Sequence, residues 1–326
     1  MAASVTRTRR HAVERTITVD APATVVYDLI RDVGRWPHTF GGTVHAERVR
    51  LDSTDERLRQ WELVDGQVRT STSRRWLDPV ALRVRFRQET MPDPLLTLGG
   101  EWQLVPLPNG STWVVLLRDF RVADDAAAAA VRETVDRAGV AELVALKSAA
   151  ELVERQDELV LSFDDSMTVD SPPGPVYDFL YRADRWPSVL PHVAGVELDE
   201  PAPGLQCLAV TAHHATAVPD GAGGLGMLGP TRLVRVCFPS HTIVHKQLTP
   251  PPVIAAHTGR WMLHPTVSGV RVTVRHTVVL RPDQVRAAFG RGATLAQARE
   301  RIRQALGTAD ILTMRRAKQA VESRAA

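Results

Sequence analysis

Two arginines recur at matching places in this 326-residue chain, each four residues before a proline: Arg75 with Pro79, and Arg235 with Pro239. Ser73 lies two residues before Arg75, so in a strand it shares that arginine's face. A cationic donor aimed at a carbonyl stabilises the negative charge that develops on its oxygen during reaction, and one such contact is worth about 3 kcal/mol. A neighbouring hydroxyl can position that carbonyl. Histidine would complete the set, because its charge changes near neutral pH and it carries protons in either direction. Of eleven histidines, eight lie in the second half: His192, His213, His214, His241, His245, His257, His264 and His276. In VRVTVRHTVV, His276 falls in phase with Val272, Val274 and Val278, so it shares their inward face while Arg271 and Arg275 face out. Each residue also has a plainer reading. A strand arginine is often a solvated charge, an inward histidine is often a hydrogen-bonded core residue, and Ser73 can be a strand serine and nothing more. Arg74 adds a register hazard, since a slip of one residue exchanges the two faces.

These residues are placed by a duplication. VYDLIRDVGRWPHTF at 26–40 reads like VYDFLYRADRWPSVL at 176–190. Tyr27-Asp28, Arg35-Trp36-Pro37 and Glu47 recur as Tyr177-Asp178, Arg185-Trp186-Pro187 and Glu197, all offset by 150. Arg75 and Pro79 recur at an offset of 160, then Gly100, Trp102, Pro106 and Gly110 recur as Gly259, Trp261, Pro265 and Gly269 at 159. GVAEL at 139–143 resembles GTADI at 307–311. Collinear matches of this kind are the signature of repeated units. The rise in offset calls for about ten extra residues in the second copy, and PDGAGGLGMLGP at 219–230 is the natural place for them. The chain is read as two homologous domains, 1–157 and 158–326. At an offset of 159, the partner of His276 in the first copy is Leu117.

Each copy opens with a strand (ERTITVD, LSFDDSMTVD) and then an Asp-x-Pro helix start. Val25, Val26, Leu29, Ile30 and Val33 follow at helical spacing. Pro37 and Pro187 either end that helix or begin a short one headed by the tryptophan. LRVRFRQET alternates Leu82, Val84 and Phe86 against Arg83, Arg85 and Arg87, which predicts a half-buried antiparallel strand. PNG at 108–110 and VSG at 267–269 read as hairpin turns. Long helical stretches close the copies at 125–156 and 283–322, the second broken near Gly290–Gly292. A curved antiparallel sheet gripping a terminal helix is the simplest packing of this order, an α+β design whose gap is an internal cavity.

Composition removes several alternatives. Net charge is +3 and the only lysines are Lys147, Lys246 and Lys318, with no interleaved aromatics, so nucleic acid is not expected as a partner. Cys207 and Cys237 give neither a disulfide framework nor a metal spacing, which fits a reduced, cytoplasmic setting. The first twenty residues have no apolar core for a signal peptide, and no apolar run is long enough to span a membrane. GAGGLG at 221–226 lacks the strand before and the helix after that a nucleotide loop needs. His213-His214 has no cysteine or carboxylate spaced to complete a metal site.

The order APATVVYDLIRDVGRWPHTF, an arginine in STSRRWLDP, Trp102 and a long helix resembles the polyketide cyclase/dehydrase group of the START or Bet v 1-like helix-grip fold. Two copies in one chain are similar to the di-domain aromatase/cyclases of bacterial type II polyketide synthases. The resemblance implies two tandem helix-grip domains acting on a poly-β-ketone tethered to an acyl carrier protein, alongside other synthase components. It implies first-ring aldol closure and dehydration, on a chain ketoreduced near C9 and closed C7–C12, with no cofactor. It places Arg75 and Arg235 inside the pockets as polarising cations. Trp36 and Trp186 become aromatics of the pocket mouth, Trp102 and Trp261 lining residues, and His38 and Phe40 substrate contacts in the first copy. Single-domain members carry a pocket tyrosine about seven residues after the tryptophan, where this chain has Thr43 and Val193. A non-catalytic carrier of hydrophobic ligands shares the fold, and polar groups inside the pockets would separate the two.

Overall fold

The computed structural model describes residues 8–213 and 230–323. The inserted stretch as far as residue 229, with its GAGGLG run, and His214 lie outside them. The chain divides into two compact units, Met1–Glu154 and Arg155–Ala326, against the 157/158 boundary read from sequence.

The first unit begins with β1 (His11–Val19), α1 (Ala23–Arg31) and α2 (Trp36–Thr39). Then come β2 (Thr43–Arg50), β3 (Asp55–Val64), β4 (Gln67–Asp78), β5 (Arg83–Gln88), β6 (Leu95–Pro106), β7 (Thr112–Val122) and the long α3 (Ala128–Glu151). After the short α4 (Gln156–Leu159) the plan repeats as β8 (Val160–Val169), α5 (Pro173–Tyr181) and α6 (Trp186–Val189). Strands β9 (Val193–Ala202), β10 (Leu205–Ala212), β11 (Thr231–Phe238), β12 (Thr242–Gln247), β13 (Ile254–Thr266) and β14 (Gly269–Leu280) complete the second sheet, followed by α7 (Val285–Phe289) and α8 (Leu295–Glu322). Each sheet has seven antiparallel strands, in the orders β1-β7-β6-β5-β4-β3-β2 and β8-β14-β13-β12-β11-β10-β9.

The terminal helices cross the concave faces because their apolar stripes demand it. Leu143, Leu146 and Ala150 of α3 pack with Val26, Leu29 and Ile30 of α1 and with Trp102, Val114 and Leu116 of the sheet. In the second unit Met314, Ala317 and Val321 of α8 meet Tyr177 and Leu180 of α5 and Val272 and Val274 of β14. Thr294 and Gln297 form a reciprocal capping box at the start of α8, after the interruption at Gly290. Trp36 and Trp186 head new short helices rather than ending the old ones.

The register corrects one alignment. Gly100 pairs with Arg118, and its repeat partner Gly259 pairs with His276. The β13–β14 turn is one residue shorter than the β6–β7 turn: Pro265 faces Val270, where Pro106 faces Thr112. The counterpart of His276 is therefore Arg118, not Leu117.

Candidate active site

The repeated Arg-Trp pairs are built into the helix ends. Arg75 of β4 faces inward and is 2% exposed. Its Nη1 donates to the carbonyl of Ile30 at 2.8 Å and its Nη2 to that of Arg31 at 3.0 Å, the last carbonyls of α1. Trp36 Nε1 donates to the same Ile30 carbonyl at 3.1 Å, and the guanidinium lies 4.9 Å from the Trp36 ring centre. These groups satisfy carbonyls that a helix C-terminus leaves without partners, and the cation suits the negative end of the helix dipole. Glu56 of β3, opposite Arg75 in register and 1% exposed, completes the pair through Nε and Nη2. Burial lowers the arginine's pKa, and Glu56 opposes that shift. In the second copy Arg235 caps α5 through Leu180 (2.7 Å) and Tyr181 (3.4 Å) and lies 5.0 Å from the Trp186 ring. Gln206 replaces Glu56 there, and among the described residues no carboxylate bonds Arg235 directly. Arg74 faces the other way and pairs with Asp55, which resolves the register question.

Beyond these caps the two concave faces differ. In the first, Ser73 Oγ donates to Gln60 Oε1 at 3.1 Å, and Gln60 Nε2 to Glu62 Oε1 at 3.3 Å. Ser71 Oγ and Gln88 Oε1 are buried on the same face with no hydrogen-bond partner among the described residues. Across from them Arg118 of β7 donates to Glu142 of α3 at 2.5 Å. Burial first, then the charge of Glu142, pushes the Glu62 carboxyl up to about 7 against the pull of Arg118.

In the second face Glu142 is matched by Asp310, through GVAEL and GTADI, and Arg118 by His276. A buried chain runs from Gln247 Oε1 to His257 Nδ1 (2.8 Å), from His257 Nε2 to His276 Nδ1 (2.8 Å), and from His276 Nε2 to Asp310 Oδ2 (2.9 Å). Each ring nitrogen in the chain can donate or accept, so a proton can pass along it between the two imidazoles and the Asp310 carboxylate.

His245 stands edge-on to both rings, with centroids 5.9 and 5.7 Å away. Burial, then the charges of His276 and His257, push its pKa well below the histidine range. Nitrogens of the three rings lie within 4.8 Å of one another. The 2.8 Å between His257 and His276 is hydrogen-bond length, shorter than the roughly 3.3 Å between two nitrogens that share a tetrahedral zinc. Glycine makes room for the cluster: a Cβ on Gly259 would fall 2.0 Å from His245 Cε1. Gly259→Ala is therefore expected to lower unfolding stability by about 1–3 kcal/mol in urea, with His245→Ala relieving most of the loss.

The remaining expected residues divide. Phe40 packs edge-on against Trp36 at 5.6 Å. Trp102 fills the first core at 7% exposure, Trp261 is half-buried against the second core, and His38 is half-buried on α2. Beside α1 a cleft of about 410 Å³ is lined by Tyr27, Arg31, Arg48, Arg50, Leu77 and Pro79.

Known proteins give this arrangement a context. The family described as polyketide cyclase / dehydrase and lipid transport matches residues 10–151. The actinorhodin polyketide synthase bifunctional cyclase/dehydratase of Streptomyces coelicolor is 39% identical over 316 residues, covering 96% of this chain and 98% of that one. The granaticin counterpart of Streptomyces violaceoruber is 38% identical, covering 96% and 94%. Among solved structures, the di-domain ARO/CYC BexL of the BE-7585A pathway superposes with a TM-score of 0.87 at 39% identity, covering 96% of this chain and 99% of that one. StfQ of the steffimycin pathway gives 0.81 at 32%, with the same coverage. Matches of this identity run through both copies, so the chain belongs to the polyketide cyclase/dehydrase family, as one of its di-domain aromatase/cyclases.

Proposed function

We propose that this enzyme closes and aromatises the first ring of a poly-β-ketone carried on an acyl carrier protein, in the cytoplasm. The chain it takes is ketoreduced near C9, and closure joins C7 to C12. The observation that carries the reading is the buried Gln247–His257–His276–Asp310 chain. A carrier of hydrophobic ligands has no use for a buried proton relay, whereas loss of water needs an acid at the leaving hydroxyl. His276 is the group that would deliver it, with Asp310 orienting the ring and His257 resupplying the proton. In the first copy the Ser71 hydroxyl offers a donor to a ketone oxygen and Gln88 Oε1 an acceptor to an enol or hydroxyl of the chain, and holding the chain folded there itself lowers the barrier by several kcal/mol. Arg75 and Arg235 act in this reading mainly by fixing the helix that borders each pocket. The arginines of the cleft beside α1 give an acidic carrier protein or its phosphate-bearing arm a complementary surface.

The test is reconstitution with a minimal type II synthase and a ketoreductase. Addition of this protein should replace shunt products with a product whose first ring is closed C7–C12 and aromatic. An unchanged product profile would refute the assignment.

A further inference from the structure

Glu62 sits where the first copy has a use for a proton carrier and the second copy has none. It lies on the inner face of β3, at the end of the Ser73–Gln60–Glu62 run of hydrogen bonds. Its repeat position at the 150 offset is Ala212. The histidine positions show the reverse pattern: His245, His257 and His276 are matched in the first copy by Phe86, Leu98 and Arg118. The first concave face thus lacks the second's relay and holds a carboxyl group instead.

The groups facing Glu62 come from three elements. Glu142 of α3 is tied to Arg118 of β7 at 2.5 Å, which keeps that carboxylate's partner on its far neighbour and not on Glu62. Arg69 stands opposite on β4, where it is exposed. Two neighbouring carboxylates on facing elements, only one of them bonded to an arginine, is an arrangement that separates a fixed anion from a group able to exchange its proton. On the same face, Ser71 Oγ and Gln88 Oε1 are buried with no hydrogen-bond partner among the described residues, the first able to donate to a substrate ketone oxygen and the second to accept from a substrate enol or hydroxyl.

We propose that Glu62 is the catalytic acid–base of aldol closure in the first pocket. This rests on the cyclase reading above and adds a division of labour: carboxyl chemistry closes the ring in the first copy, and histidine chemistry removes water in the second. The step balances within the substrate and this one group. The Glu62 carboxylate takes a proton from the methylene between two ketones. The C–H electron pair becomes the enolate, which attacks the carbonyl carbon and forms the C–C bond. The π pair of that carbonyl moves to its oxygen, and the oxygen takes the proton from Glu62. No oxidant, reductant or second reactant is required. A carboxyl poised near 7 is matched to this double duty at neutral pH.

The test compares wild type, Glu62→Gln and Glu62→Asp in the reconstituted synthase, following ring closure by product skeleton, with the melting temperature of each. Glu62→Gln should slow closure at least about 100-fold while still folding, with Glu62→Asp between. The rise in closure rate through pH 7 should vanish in Glu62→Gln. Stability supplies an independent readout. A carboxyl raised from its ordinary 4.5 to about 7 holds its proton more tightly folded than unfolded, so wild type loses stability as pH rises across that window. Glu62→Gln lacks this titration, so its advantage over wild type should grow from pH 5 to pH 8. Closure within threefold of wild type in Glu62→Gln, or a rate loss matched by a fallen melting temperature, overturns the inference. A wild-type protein that leaves the products unchanged would instead defeat the cyclase reading beneath it.

Discussion

Arg75→Ala should unfold the first copy far more readily than Arg235→Ala unfolds the second, although the two arginines are repeat partners. Removing Arg75 takes the donor from the Arg31 carbonyl, leaves that of Ile30 to Trp36 alone, and leaves Glu56, 1% exposed, as a buried charge with Arg48 3.7 Å away in place of its bonded partner. Breaking one side of such a pair costs about 3–5 kcal/mol. Removing Arg235 withdraws donors from Leu180 and Tyr181 but strands no carboxylate, because Gln206 stands in the place of Glu56. That loss is about 1–3 kcal/mol. Urea unfolding of the two variants measures the contrast. The double variant Arg75→Met/Glu56→Leu should recover most of the stability, since the apolar pair no longer leaves a buried charge. If Arg75→Ala unfolds within about 1 kcal/mol of wild type, the capping role is wrong and the arginine is held for something else. The same comparison bears on activity: loss of cyclisation in Arg75→Ala is expected to track loss of the fold.

Asp310→Asn and His276→Phe should stop the loss of water while leaving ring closure in place. Both variants keep the size of the side chain roughly constant and break the relay at its acidic end, where His276 Nε2 meets Asp310 at 2.9 Å. Asparagine removes the carboxylate at the end of the relay, and phenylalanine removes both ring nitrogens. A positioned acid–base group contributes about 10²–10⁴-fold, so the dehydration rate should fall by that factor. The product to look for is the closed but hydroxylated, non-aromatic first ring, identified by mass as 18 Da heavier, roughly one water. His257→Leu, which copies the first repeat's Leu98, should give a smaller loss, since His276 keeps its bond to Asp310. Aromatic product forming at the wild-type rate in Asp310→Asn and His276→Phe would remove the second pocket from the chemistry.

Much of this architecture was legible in the chain itself. The duplication, the helix-grip order and the inward phase of His276 follow from local patterns, while the choice between Arg74 and Arg75 as the inward arginine waited on the strand register. Strand alternation and helical spacing are written along the backbone, and a repeat doubles every signal. The glycine pair Gly100 and Gly259 was visible too, though not its reason, which is the ring of Phe86 or His245 lying across it.

Tertiary structure decided what those residues touch. Arg75 and Arg235 looked like donors for a substrate, and folding turns two hydrogens of each onto the carbonyls of α1 and α5, about 44 to 55 residues away in sequence. His245 and His257 carry no inward phase in the sequence because β12 and residues 256–259 of β13 are buried on both faces, which erases the alternation that marks an inward side chain. The partner of His276 was misread because a turn one residue shorter shifts β14 by one position, and only the hydrogen-bonded register reports that. Glu142 and Asp310 lay in a repeated motif already, yet their use depends on a helix crossing a sheet. Sequence alone determined a doubled frame. The contrast between a carboxyl pocket and a histidine pocket arises only when strands distant in the chain are brought side by side, because proton affinity and hydrogen-bond partners are properties of surroundings and not of residues.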